Sequence, residues 1–244
     1  MADLRDYQAR GQQVGTQAGA AIDEGLRSYM LRVYNLMAMG LAITGVAAYG
    51  TYVMAASNQA FAQILYASPL RWVVMLAPLA LVFFLSFRIN KMSVSAAQTT
   101  FWVYSALMGL SLSSIFLVFT GQSVVQVFFI TAASFGALSL WGYTTKRDLS
   151  GMGSFLFMGL IGIIIAMIVN IFLASSALQF AISAIGVLVF AGLTAYDTQQ
   201  IKEMYYEGDG SEVAGRKAIM GALRLYLDFI NLFLFLLQFL GNRE

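Results

Sequence analysis

Two aspartates within long apolar stretches are the residues of this chain best placed to do chemistry. Asp197 ends one apolar stretch, in the segment Ala195–Gln199, and Asp228 lies inside the next, in Leu225–Asn231. Charged side chains are expensive to bury in a membrane, so each one is a candidate for a functional role. Arg88, which ends an earlier apolar stretch, is a third candidate because a guanidinium can clamp a carboxylate through two hydrogen bonds.

Helix geometry gives an estimate of how deep the two aspartates lie. A helix rises about 1.5 Å per residue, which places Asp197 roughly 7 Å from Lys202 and Asp228 roughly 16 Å from Lys217. The two lysines flank one loop, and elements that follow each other in the chain usually pack together. We therefore expect the two carboxyl groups to approach each other, with Arg88 in reach if its helix lies nearby.

Two close carboxyl groups in a poorly solvated site resist double ionisation, so they tend to share a proton and titrate as a pair. Protonation weakens an arginine clamp, and Ca²⁺ competes for the same oxygens because it prefers carboxylate and carbonyl ligands. The three residues thus predict a pH-gated, calcium-sensitive latch, with Asp197 and Asp228 as candidate calcium contacts.

Simpler interpretations of these charges stay open. Asp197 would cap its helix and face water, and Arg88 would extend to the lipid headgroups. Arg224 would neutralise Asp228, which lies four residues away on the same predicted helix. Asp228 is the hardest of these residues to explain structurally, because it lies deepest.

The composition indicates a membrane protein. Of the 244 residues, 59% are hydrophobic and 11% are charged, whereas soluble domains are about 45–50% apolar and about 25% charged. We predict an all-α polytopic membrane protein with seven transmembrane helices, preceded by a polar N-terminal tail over residues 1–27. Seven stretches reach the roughly 20 mostly apolar residues that a spanning helix needs: about 33–55, 71–89, 100–119, 124–143, 155–174, 178–197 and 218–240.

The residue types that are missing exclude several function classes. The chain has no Cys and no His, which excludes disulfides, zinc-thiolate sites and Ser-His hydrolysis. A net charge of +2 is too small to favour nucleic-acid binding. We expect no enzymatic activity and no resident cofactor, and we expect the lipid bilayer as the surroundings of the chain.

The basic residues predict the orientation. With the N-terminus in the cytoplasm, eleven of the fourteen Lys and Arg residues fall on the cytoplasmic side, and only Arg71 and Arg243 fall opposite, as the positive-inside rule requires. Seven spans place the C-terminus outside, whereas a re-entrant last segment would return it to the cytoplasm. Both possibilities stay open at this point.

Three segments resemble the signatures of the Bax inhibitor-1 family. They are Gly192–Lys202 (GLTAYDTQQIK), Leu225–Phe233 (LYLDFINLF) and Thr144–Ser150 (TTKRDLS). The resemblance covers about residues 28–242, within a predicted transmembrane domain over 28–244. The short tail and the absence of His and Cys are similar to a bacterial member, which implies the bacterial inner membrane as the location.

The resemblance implies a bundle whose seventh helix is central and surrounded by the other six. It also implies a pH-sensitive calcium leak, with Ca²⁺ as the permeant or regulatory ion. Asp197 and Asp228 match the carboxylates of the family's di-aspartyl sensor, and Arg88 matches its arginine latch. The supporting candidates beside them are Arg224, Asn231 and Tyr196.

Two other functions stay open. Some bacterial members of the family bind the membrane-bound AAA protease, and a non-conducting regulator of this kind would use the N-terminal tail and the loop 202–217. An intramembrane aspartyl protease also needs two aspartates on neighbouring spans, one often preceded by Tyr, as Tyr196 precedes Asp197. We rank the protease lowest, because Asp228 lacks the expected G-x-G before it and no Pro-Ala-Leu motif follows.

Overall fold

The computed structural model describes the backbone of residues 2–243 and the side chains of residues 24–243. Within these ranges 89% of the chain is helical without any strand, and seven helices are long and apolar enough to cross a membrane. The predicted tail, residues 1–27, lies outside the residues with described side chains except for its last four. The helices are α1 (Ala2–Ser57), the short α2 (Gln59–Ala62), α3 (Leu70–Arg88), α4 (Val94–Leu112), α5 (Gly121–Thr144), α6 (Ser150–Leu173), α7 (Ser176–Glu203) and α8 (Ser211–Leu240).

Several helices extend beyond the apolar stretches that predicted them. α7 continues six residues past the predicted end at 197, and α8 begins seven residues before 218. The extensions are polar and lie where a helix leaves the apolar layer, so hydropathy alone does not detect them. Side-chain caps set other helix starts: Ser93, Thr120 and Ser175 accept hydrogen bonds of 3.2–3.3 Å from backbone N–H groups three residues later, as N-cap residues do.

The last helix, α8, lies at the centre of the bundle, as the resemblance implied. Of its apolar window 72% is buried, against 11–33% for the other six spanning helices. It packs directly against α1, α4, α5 and α7, while α3 packs mainly on α4 and α6 mainly on α7. The expectation that all six helices surround α8 is therefore met by four of them, with α3 and α6 in an outer position.

The two ends of the bundle differ in charge. We call the end that carries Arg88, Lys146, Arg147, Lys202 and Lys217 the basic end. α8 starts at this end and crosses the bundle as one continuous helix of 30 residues. It finishes at the opposite end, where the backbone of Arg243 pairs with the backbone of Phe119 in a single antiparallel β-bridge. α8 does not turn back within the bundle, so the re-entrant alternative for the last segment is wrong. The C-terminal end of α8 and the beginning of the α1 span (Glu24) lie at opposite ends of the bundle.

Candidate functional site

The antiparallel register of α7 and α8 brings the two aspartates together. Near the basic end, Lys217 Nζ donates a hydrogen bond of 2.9 Å to the carbonyl oxygen of Met204. From this level Asp197 lies seven residues inward along α7, and Asp228 lies eleven residues inward along α8. At about 1.5 Å per residue their backbones differ in depth by about 6 Å.

The direction of helical side chains closes this remaining gap. Helical side chains lean toward the N-terminus of their own helix. Asp197, on α7, therefore leans away from the basic end, whereas Asp228, on α8, leans toward it. The two carboxyl groups thus approach each other at an intermediate depth, within reach of a side-chain hydrogen bond.

The Asp228 carboxyl group is the more enclosed of the two. Asp228 is only 4% exposed, and among the described residues no N–H or O–H group donates to its Oδ2 atom. A buried carboxylate oxygen without a donor is costly. Protonation of one carboxyl group would supply such a donor, because two ionised carboxylates have no hydrogen to share.

Both aspartates face a cavity of about 1020 Å³ between α6, α7 and α8. The cavity exists because α6 packs on α7 and leaves the neighbouring face of α8 uncovered. Its lining includes the three supporting candidates from the sequence, which are Arg224, Asn231 and Tyr196. Asn231 Nδ2 donates a 2.8 Å hydrogen bond to the carbonyl oxygen of Leu227.

Arg224 is the cation next to the aspartyl pair. It lies one turn before Asp228 on α8 and lines the same cavity, and its charge acts on both carboxyl groups. Among the described side chains, however, no ion pair joins Arg224 to either aspartate. Arg224 therefore acts on Asp228 through its charge, without forming an ion pair with it.

Arg88 lies apart from the pair. It is exposed at the end of α3, and within the described chain it forms no ion pair with Asp197. The contact predicted for a closed state is therefore absent here. The reason is the helix arrangement: α3 packs on α4 rather than on α7, so its last turn does not approach Asp197. The latch role of Arg88 in another state stays a prediction.

Gln199 was not predicted as a site residue, yet it ties α7 to the backbone of the loop between α5 and α6 (145–149, the α5–α6 loop). Gln199 is 4% exposed. Its Oε1 accepts a 2.9 Å hydrogen bond from the N–H of Leu149, and its Nε2 donates one of 2.8 Å to the carbonyl oxygen of Arg147. Lys202 Nζ donates to the carbonyl oxygen of Tyr143, at 2.9 Å. Hydrogen bonds of Gln199, two residues after Asp197, thus join the Gly192–Lys202 motif to the Thr144–Ser150 motif.

The oxygen atoms around the pair bear on calcium binding. Asp197 and Asp228 together offer at most four carboxylate oxygens, and no third acidic side chain joins them among the described residues. A resident calcium ion takes six to eight oxygen ligands. The donor set thus suits brief contact with a passing ion that keeps part of its water shell, rather than a structural calcium site.

Sequence comparison agrees with the motifs. The family described as "Inhibitor of apoptosis-promoting Bax1" matches residues 26–244. The inner membrane protein YbhL of Escherichia coli is 49% identical over 223 residues, covering 90% of this chain and 94% of YbhL. An uncharacterised protein of Rickettsia prowazekii is 52% identical over 231 residues, covering 94% of this chain and 95% of the relative. With its seven spanning helices and a match over nearly its whole length, the chain is an integral membrane protein that belongs to the Bax inhibitor-1 family.

Proposed function

We propose that this protein is a pH-sensitive, calcium-permeable channel or leak of a bacterial inner membrane, with its basic end in the cytoplasm. The observation that carries the proposal is the aspartyl pair, a buried carboxyl group within hydrogen-bonding reach of a second one at the wall of a large cavity. A structural role explains neither the depth of Asp228 nor its Oδ2 atom without a donor.

The number of protons on the pair sets its charge. With one shared proton the pair carries one negative charge, and without it the two carboxylates repel by on the order of 4 kcal/mol at about 4 Å and an effective dielectric constant of about 20. The deprotonated pair must therefore separate or recruit a cation. Arg224, which lines the same cavity, and an entering Ca²⁺ are the candidate cations in this arrangement, and Arg88 becomes a third if α3 shifts.

Calcium flux into proteoliposomes tests the proposal. Wild-type flux should change between about pH 6 and pH 8, the range in which a shared carboxyl proton is expected to be released. Asp197→Asn and Asp228→Asn should each remove most of this change, because an amide does not titrate. Asp148→Asn is the matched control, since Asp148 is exposed outside the spanning helices. If the calcium flux of both site variants keeps the pH dependence of the wild type, the aspartyl pair is not the pH sensor.

A non-conducting regulator of a membrane-bound AAA protease is the second candidate. The observation that favours it is the exposed surface at the basic end, where Tyr206 is 67% exposed beside the exposed Glu207. Photo-crosslinking from position 206 in cells should then capture the protease. A crosslinked protease, together with no calcium flux in vesicles of the pure protein, would favour this function over the channel.

An intramembrane aspartyl protease also places two carboxyl groups in mutual reach, so the pair alone does not separate it from a channel. The lack of G-x-G before Asp228 still ranks it last. Cleavage of a single-span reporter by the purified protein, abolished by either Asp→Asn change, would replace the channel with this activity.

A further inference from the structure

Four polar residues form a stripe along the face of α8 that lines the cavity. They are Arg224, Asp228, Asn231 and Gln238, spaced four, three and seven residues apart. Steps of three, four and seven keep side chains on one face of a helix. The other polar side chain of this stretch, Tyr226, points elsewhere and shares a 2.6 Å hydrogen bond with Thr44 of α1. We call the four residues the polar stripe.

The polar stripe ends in a cluster of amides. Asn170 Nδ2 donates to Gln179 Oε1 at 3.1 Å, and Gln179 Nε2 donates to Gln238 Oε1 at 2.6 Å. Ser183 Oγ lies 3.2 Å from the same Gln238 oxygen. These four residues, the amide cluster, connect α6, α7 and α8 at the end of the cavity that is farthest from the basic end.

A second cavity adjoins the larger one at the amide cluster. It has a volume of about 410 Å³ and shares Ile164, Met167 and Gln238 with the larger cavity. Asp228 and Gln238 are ten residues apart, which corresponds to about 15 Å along α8. The two cavities together thus extend along α8 from the aspartyl pair to Gln238, in the last turn of the helix.

One apolar contact lies between the two polar sites. The rings of Phe190 and Phe235 stack with centroids 5.7 Å apart, and both line the larger cavity. Phe235 also fills the space above Gly186, where a methyl group would collide with its ring. Phe235 lies between Asn231 and Gln238 along α8, so this ring pair lines the part of the cavity between the aspartyl pair and the amide cluster.

Resting on the proposed function, we propose that calcium passes beside α8 along the polar stripe, and that the amide cluster is a second ion-contact site that closes the far end of this route. Amide oxygens are ordinary ligands of Ca²⁺. The hydrogen bond between Gln179 and Gln238 occupies such an oxygen and joins α7 to α8. This hydrogen bond must open, and the Phe190–Phe235 pair must part, for an ion to pass.

Single cysteines test the route directly, because the natural chain contains no Cys. Asn231→Cys and Gln238→Cys should react with a membrane-impermeant, positively charged methanethiosulfonate, since such reagents attack thiolates that are in contact with water. Attachment of the charged group should then reduce calcium flux at least tenfold. The size-exclusion profile of each variant verifies that it is folded before labelling.

Two control cysteines separate water exposure from other causes. The first control is Leu232→Cys, because Leu232 lies on the buried side of α8 and is 1% exposed. The second is Ile165→Cys, because Ile165 on α6 is 56% exposed but does not line either cavity. Neither should react. Labelling of Asn231→Cys and Gln238→Cys that leaves the flux unchanged, or labelling no faster than at position 165, overturns the route.

Gln238 variants provide a second measurement without a chemical reagent. Gln238→Leu removes the oxygen ligand and the closing hydrogen bond together, so its calcium flux should differ several-fold from that of the wild type. Gln238→Glu should stay close to the wild type, because its carboxylate is still a calcium ligand and still accepts from Gln179. Equal flux in all three proteins overturns the amide cluster as a contact site. If the wild type passes no calcium at about pH 6 or at about pH 8, the proposed function fails. If it leaks while positions 231 and 238 stay unlabelled, only the route fails.

Discussion

Replacing Asp228 with Asn should make the stability of the protein much less dependent on pH. In the proposed pH sensor the two carboxyl groups of the aspartyl pair share one proton in the folded state, whereas in an unfolded chain both are ionised at neutral pH, since the ordinary carboxyl pKa is about 4. The folded state therefore binds one more proton, and its stability falls as the pH rises. The slope is about 1.4 kcal/mol per pH unit for one proton.

This slope gives a measurable difference. Because the folded pair is proposed to release its proton around the middle of the range from pH 6 to pH 8, the full slope applies only at the lower end, and the wild type should lose about 1.4 kcal/mol over this range relative to Asp228→Asn. For a protein of this size 1 kcal/mol corresponds to about 2–4 °C in Tm, so the wild-type midpoint should fall by about 3–6 °C more than that of the variant. Thermal unfolding in detergent micelles at pH 6, 7 and 8 measures it.

Asp148→Asn is the control for this experiment. Ser150 hydrogen-bonds the exposed Asp148 carboxylate and lowers its pKa, so Asp148 is ionised throughout the range and its removal should leave the slope unchanged. Parallel curves of Tm against pH for the wild type and Asp228→Asn would refute the shared proton.

Three further changes test the packing around the site. Gly142→Ala would place a methyl group against the carbonyl oxygen of Ala195 and should destabilise the α5–α7 contact by about 1–3 kcal/mol; Gly136→Ala, where the space is open, should leave the Tm unchanged or raise it slightly in the same thermal assay, because Ala favours a helix over Gly. Tyr226→Phe removes a buried 2.6 Å hydrogen bond and should cost about 1 kcal/mol, and an unchanged Tm would argue against that bond. Gln199→Leu should release the α5–α6 loop and speed its cleavage by trypsin, whereas an unchanged cleavage rate would mean that other contacts hold the loop.

The helices of the bundle could be predicted from hydropathy, because each span had to supply about 20 apolar residues. The central position of α8 could not be derived in this way and came from the family resemblance. Hydropathy also placed the ends of α7 and α8 too close to the membrane centre, since their polar extensions reach Glu203 and Ser211.

The aspartyl pair could be predicted because depth, loop connection and residue type all pointed to the same two side chains. The position of Arg88 could not, since nothing in the sequence says whether α3 packs on α4 or on α7. Gln199 was missed for a similar reason: its partners are backbone groups of the α5–α6 loop, and any residue type offers those. A side-chain partner can be recognised from its residue type, whereas a backbone partner cannot, because nearly every residue carries the same backbone groups.

Infrared spectroscopy of the purified protein in lipid tests the shared proton most directly. At neutral pH the wild type should show the C=O stretch of one protonated carboxyl group per chain, and both Asp197→Asn and Asp228→Asn should change or remove this band, while Asp148→Asn leaves it intact. The absence of the band in the wild type at neutral pH, or the same band in both site variants, would contradict the shared proton and the gating built on it.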